Sequence, residues 1–134
     1  MKDVHCRLAS AAATLALLVV LGAAQRPTAL AQTRAGLWEI SGLPGASAPA
    51  RRCLIDTAAL AQVEHRAQNC TRVIVSDSPP RAAVHYTCAN GGFGRTDMTV
   101  LTPRSIRIQT QGISNGAPFN YVVQARRVGD CRAH

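Results

Sequence analysis

Lysine occurs once in this chain, at Lys2, and every basic residue beyond position 31 is arginine. Aromatic residues are also scarce, with one tryptophan, two tyrosines and two phenylalanines in 134 residues. Any core must therefore be built mainly from aliphatic side chains. Cys-x-x-Cys is absent, which removes thioredoxin-type redox chemistry. Zinc held by four cysteines would want such close pairs, and none occurs. There is no Gly-x-Ser-x-Gly elbow, no clustered His, Asp or Glu motif for a metal, and no repeat at a fixed period. These absences leave no cofactor motif and no catalytic constellation, so a non-enzymatic role is expected.

What is present begins with a leader. Lys2 and Arg7 precede an apolar run from Leu8 to Ala24, the layout of a signal peptide. The small-x-small triplet Ala29-Leu30-Ala31 offers a cut before Gln32, giving a signal peptide over 1–31 and a single β-rich domain over 32–134. An uncleaved anchor is the alternative, because an apolar run of about 17 residues is at the short end of what spans a bilayer. Cys6 precedes the run, so no lipobox follows it, and twin arginines are absent. The general secretory route is the expectation.

Beyond Ala31 the chain keeps four cysteines, Cys53, Cys70, Cys88 and Cys131, an even number that in an exported chain reads as two disulfides. Three connectivities are open in principle. Twelve arginines against six acids in the same span leave a net charge near +6, which directs attention to anionic partners such as phosphate-bearing lipids or acidic polymers.

Alternation organises the rest. Gly36 to Ile40 reads as a strand with Trp38 and Ile40 on one face, and Gly42 to Ala50 reads as a loop. Arg52 to Ile55 is too short to classify. Asp56 can cap a helix from Thr57 to about Ala67, with Leu60, Val63 and Ala67 on its apolar face and Glu64, His65 and Arg66 pointing elsewhere. A second strand carries Val73 and Val75 and stops at Ser78-Pro79-Pro80. A third puts Ala82, Val84, Tyr86 and Cys88 on one face. Asn90-Gly91-Gly92-Phe93-Gly94 reads as a hairpin turn, since a strand and not a helix N-terminus follows it. That fourth strand alternates Thr96, Met98 and Val100. A fifth carries Ile106, Ile108 and Thr110, and Asn115-Gly116 signals a type I′ turn. The last strand places Phe119, Tyr121, Val123 and Ala125 on one face.

The expected fold is all-β: six strands and one short helix, in a small antiparallel meander sheet or a partly closed barrel, stapled by disulfides. Cys53 and Cys70 flank the helix and are expected to pair. Cys131 shares the parity of Phe119 and Tyr121, so a Cys88 to Cys131 bridge is expected on the buried side.

His65 on the helix surface, His85 on the outer side of a strand and His134 at the terminus are too scattered for a nucleophile–base pair. Arg95, Arg107 and Arg126 fall on the outer parity of three consecutive strands, with Gln109 and Gln124 beside them, as a candidate anion-binding stripe; the plainer alternative is a solvated sheet face. Without interleaved aromatics, nucleic acid is not an expected partner. Asn69-Cys70-Thr71 matches a glycosylation sequon in form, but its middle residue is a candidate disulfide cysteine.

Gly36-Leu37-Trp38-Glu39, Cys53-Leu54, Cys70, Tyr86-Thr87-Cys88 and the ending Arg126-Arg127-Val128-Gly129-Asp130-Cys131 resemble the small exported bacterial proteins catalogued as a domain of unknown function, number 3617. The resemblance runs from about Arg34 to Cys131. It implies export and cysteine pairing and implies no activity. Tyr86-Thr87-Cys88-Ala89-Asn90-Gly91, followed by an alternating strand, is also similar to the Tyr-x-Cys start of periplasmic inhibitors of c-type lysozyme. Those are small β-barrels that plug an enzyme's cleft. The function expected is a non-enzymatic periplasmic or secreted protein binding an anionic envelope component or an envelope protein. The alternative is an inhibitor of an envelope hydrolase.

Overall fold

The computed structural model describes residues 26–132. Most of the expected leader, including Cys6, and His134 lie outside the described residues. Seven strands form one fully antiparallel open sheet: β1 (Gly36–Ser41), β2 (Ala50–Leu54), β3 (Cys70–Ser78), β4 (Arg81–Cys88), β5 (Phe93–Thr102), β6 (Ser105–Ser114) and β7 (Ala117–Gly129). Their order is β2-β1-β7-β6-β5-β4-β3. The run from β4 to β7 is the expected meander, and β3 extends it. β1 then adds beside β7, and β2 beside β1.

The alternating residues do what their period requires. Trp38 and Ile40 of β1, Val84 and Tyr86 of β4, Thr96 and Met98 of β5, Ile106, Ile108 and Thr110 of β6, and Val123 and Ala125 of β7 are all buried. This inner face is covered by Leu30, Ala58, Leu60, Ala61 and Val63, which come from the short segments before β1 and between β2 and β3. The type I′ turn is present between β6 and β7, with Asn115 at φ 51° and Gly116 at φ 76°.

Three expectations change. β2 is a seventh strand, formed by residues read as loop end and unclassified stretch. Its pattern is only half-buried because it is an edge strand whose one partner is β1. The expected helix is a 3-10 helix over Thr57–Gln62, with Asp56 capping it by accepting from the Ala58 amide at 2.9 Å. Tight turns continue it: the His65 amide donates to Gln62 O and the Gln68 amide to His65 O. At three residues per turn Leu60 and Val63 still share a face, but Ala67 rotates out to solvent and His65 rotates in.

The third change is the cysteine pairing. All four cysteines are bonded, as Cys53–Cys131 and Cys70–Cys88. Cys70 does not turn back to Cys53, because it opens β3 directly opposite Cys88 of β4. Cys53 faces Leu37 of β1, which faces Gly129 at the end of β7, so Cys131 arrives beside Cys53 with a Cα separation of 5.5 Å.

A 3-10 turn, Thr28–Leu30, lies against β3 and seals one end of the core. The Thr28 and Ala29 amides donate to the Asp77 carboxylate at 2.6 and 3.0 Å. Desolvation alone would raise the pKa of Asp77, but these amides and the Thr28 hydroxyl outweigh it and hold the carboxyl below its ordinary value. A depressed folded-state pKa gives stability that is present above the unfolded value, about 4, and is lost as pH falls through the folded value. The Asp77→Asn variant is therefore expected to be less stable than wild type at neutral pH and to converge on it in acid. Urea midpoints measured from about pH 2 to pH 7 test this; a gap that does not change with pH would remove Asp77 as its cause.

Candidate functional site

The outer face of the sheet carries the arginines. Its residues follow from register: Thr99 of β5 faces Arg81 of β4 and Arg107 of β6, and Arg107 faces Gln124 of β7. The adjacent row runs Arg51, Glu39, Arg126, Ser105 across β2, β1, β7 and β6. Arg107 and Arg126 are thus diagonal neighbours, as the strand parity predicts. Arg95 stands apart, because it faces Gln111, four residues along β6 from Arg107. Arg51 and Arg81 join the face: Arg81 shares the outer parity of His85 on β4, whereas Arg51 joins only through the pairing of β2 with β1.

Carboxylates divide this set. Arg95 binds Asp97 on its own strand at 3.1 Å, a contact that raises the arginine's pKa further. Glu39 sits between Arg51 at 3.3 Å and Arg126 at 3.8 Å. Among the described residues Arg81 and Arg107 make no ion pair. Five arginines against two acids leave this face with an excess of three positive charges. Beyond Arg95 an open groove of about 500 Å³ is lined by His85, Thr87, Phe93 and Gln111, with Phe93 49% exposed. A cationic row and a partly apolar groove thus share one face.

A second constellation lies on the inner side, beneath the β4–β5 and β6–β7 hairpins. His65 is only 2% exposed. Its Nδ1 lies 2.9 Å from the Tyr86 hydroxyl, and its ring meets Tyr86 and Phe119 edge-on at 5.4 and 5.8 Å. Burial first, and the nearby Glu64 charge after it, push the Tyr86 phenol up to about 12 despite the Thr110 hydroxyl. The phenol therefore keeps its proton, and its contact with Nδ1 holds the imidazole in place beneath the sheet. Tyr121 donates to Glu64 at 2.8 Å and is likewise shifted upward, by burial and then by that carboxylate. Nε2 of His65 and Oε1 of Gln68 are buried without hydrogen-bond partners, and both residues line a small cavity of about 140 Å³ with Asn90, Gly92 and Asn115.

This cluster escaped the helical reading because its period is three: Gln62, His65 and Gln68 fall on one side of a tight helix, and Gln62 Nε2 donates to the carbonyls of His65 and Gln68. The glycines form its floor. A Cβ on Gly92 would collide with His65 Nε2, and one on Gly94 would lie 2.6 Å from the Tyr86 hydroxyl. Gly92→Ala is expected to cost about 1 to 3 kcal/mol, the usual penalty of overpacking. Adding His65→Ala to Gly92→Ala is expected to recover part of that loss. A double-mutant cycle by chemical denaturation reads the coupling, and additive losses would refute the contact.

Among the described residues no group of three or more His, Cys, Asp or Glu side chains converges as a metal site. The cavity beneath the hairpins is small, polar and open at its rim through the exposed Asn90 and Asn115, whereas the arginine face is broad and cationic. A family model described as a protein of unknown function, DUF3617, matches residues 33–131. Neither the curated proteins nor the solved structures contain a match.

Proposed function

The chain belongs to the DUF3617 family, and from that premise we propose that it is a non-enzymatic binding protein, exported to the periplasm or secreted, whose arginine face engages an anionic component of the envelope. Two disulfides suit an oxidising, non-cytoplasmic location. No helix among the described residues is long and apolar enough to cross a membrane.

The observation that carries the proposal is the row Arg81, Thr99, Arg107, Gln124. It brings onto one face of the sheet two arginines that pair with no carboxylate among the described residues, beside amide and hydroxyl side chains that can donate to phosphate or carboxylate oxygens. Arginine suits this task because its planar fork binds such groups in a bidentate manner and never loses its charge. Phosphate-bearing lipid and acidic polymer share the required chemistry.

Co-sedimentation with vesicles containing anionic phospholipid, beside the same assay with a soluble acidic polysaccharide, separates the two sources. Binding is expected to fall steeply as salt is raised, since exposed charges are screened. It is also expected to weaken at least tenfold in the Arg81→Glu, Arg107→Glu double variant. Binding that ignores both salt and these substitutions would defeat the proposal. Saturable one-to-one binding to a c-type lysozyme, independent of the arginine row, would replace it with the inhibitor alternative.

A further inference from the structure

We infer that the exported chain is cut between Ala24 and Gln25, so that residues 26–31 remain in the mature protein as part of its core. The inference rests on the export reading above. Two small-x-small triplets are available: Gly22-Ala23-Ala24, which closes the apolar run, and Ala29-Leu30-Ala31 farther on. Either satisfies the residue preference of a leader peptidase. Sequence alone does not rank them, and the folded product does.

A chain beginning at Gln32 would lack several buried parts. Leu30 is fully buried (0% exposed) in the central apolar cluster with Trp38 and Leu60, and Pro27 and Ala29 are buried beside it. Arg26 acts as a clamp. Its Nη2 lies within hydrogen-bond distance of Leu30 O at 2.8 Å, Thr33 O and Oγ1 at 3.1 Å and Thr57 Oγ1 at 3.0 Å, so that its two protons are shared among these oxygens, and its Nε pairs with Asp56 at 3.1 Å. Thr33 and Thr57 are themselves buried, with their hydroxyls 2.7 Å apart. Removing the clamp strips them of the charged donor that joins the segment before β1 to the start of the Thr57–Gln62 helix. The Asp77 carboxylate would also lose both of its amide donors.

Shielding by the fold is not the reason the later triplet is spared, because a leader is removed as the chain emerges, before it folds. The reason is the product. A cut after Ala31 leaves an open slot against Trp38, whereas a cut after Ala24 leaves every one of these contacts intact. It also spares the substrate the arginine and proline that separate the apolar run from the later triplet.

The test uses the full chain with its own leader. The N-terminal sequence and intact mass of the exported protein are expected to start at Gln25. Ala24→Leu is expected to abolish processing and accumulate precursor. Ala31→Leu, at an exposed side chain, is expected to be processed as wild type. A mature chain starting at Gln32, or a block caused by Ala31→Leu, would overturn the inference. An intact chain that is exported and disulfide-bonded would overturn the cut while leaving the export reading standing; an intact chain with free thiols in the cytoplasm would overturn both. The structural half has its own readout: Leu30→Ala is expected to lower the thermal midpoint of the oxidised protein by about 10 °C or more, and an unchanged midpoint would remove the premise.

Discussion

Replacing Cys53 and Cys131 together by alanine is expected to destabilise the protein by about 4 to 5 kcal/mol, and replacing Cys70 and Cys88 by about 3. The difference follows from loop length. The first bridge closes a sequence separation of 78 residues and the second one of 18, and the entropy removed from the unfolded chain grows with the logarithm of the loop. Position adds to it. β2 is an edge strand hydrogen-bonded only to β1, and Cys53 ties it to the end of the chain two strands away. The Cys70–Cys88 bridge instead joins residues that β3 and β4 already hold opposite one another. Urea denaturation of the two double variants tests the order; an equal loss, or a larger one for Cys70 and Cys88, would show that loop length does not govern.

Trp38→Ala is expected to cost about 3 to 5 kcal/mol. A domain of this size is commonly stable by only about 5 to 15 kcal/mol, so such a loss leaves little margin. Trp38 is fully buried in the middle of β1, between β2 and β7, and it is the largest side chain of the core. Its indole N–H donates to Arg34 O at 3.1 Å, so truncation also leaves that carbonyl without its donor. Trp38→Phe, which keeps most of the volume, is expected to lose markedly less. Because the chain has no other tryptophan, far-ultraviolet circular dichroism and not fluorescence is the appropriate probe. A thermal midpoint for Trp38→Ala within a degree or two of wild type would mean that the core closes over the gap.

The three arginines read as a candidate anion-binding stripe show how far parity alone reaches. Arg95, Arg107 and Arg126 do lie on the outer face, because alternation along a strand is a local property. Their distance from each other is not local. Register sets Arg95 four residues along from Arg107's partner row, and the arrival of β1 beside β7 places Glu39 next to Arg126. Arg51 enters the face for the same reason.

His65 marks the opposite limit. Its neighbours in sequence suit a 3.6-residue helix, and on such a helix it points to solvent. The chain instead turns every three residues there, because Leu60 and Val63 must both reach the inner face of the sheet while Gln62, His65 and Gln68 close its end beneath the hairpins. The glycines of the β4–β5 hairpin were legible as a turn. That Gly92 and Gly94 also make room for an imidazole and a phenol depends on what lies across from them.

By itself the sequence determined the all-β class, which side of strands β4 to β7 is buried, the hairpin turns between them and the presence of two disulfides. Each of these follows from neighbours in the chain, from residue type, or from a count. It did not determine the buried side of β3, where Val73 and Val75 are exposed and Ile74 packs against the core. Only the tertiary structure decided which cysteines pair, that residues 50–54 form a strand, that His65 is buried and that Arg26 and Leu30 belong to the fold. The Cys53–Cys131 bridge and β2 depend on β1 docking against β7 across most of the chain length; the Cys70–Cys88 bridge depends on the β3–β4 register, and the burial of His65 and Leu30 on how the short 3-10 segments lie against the sheet, none of which the local pattern of side chains signals.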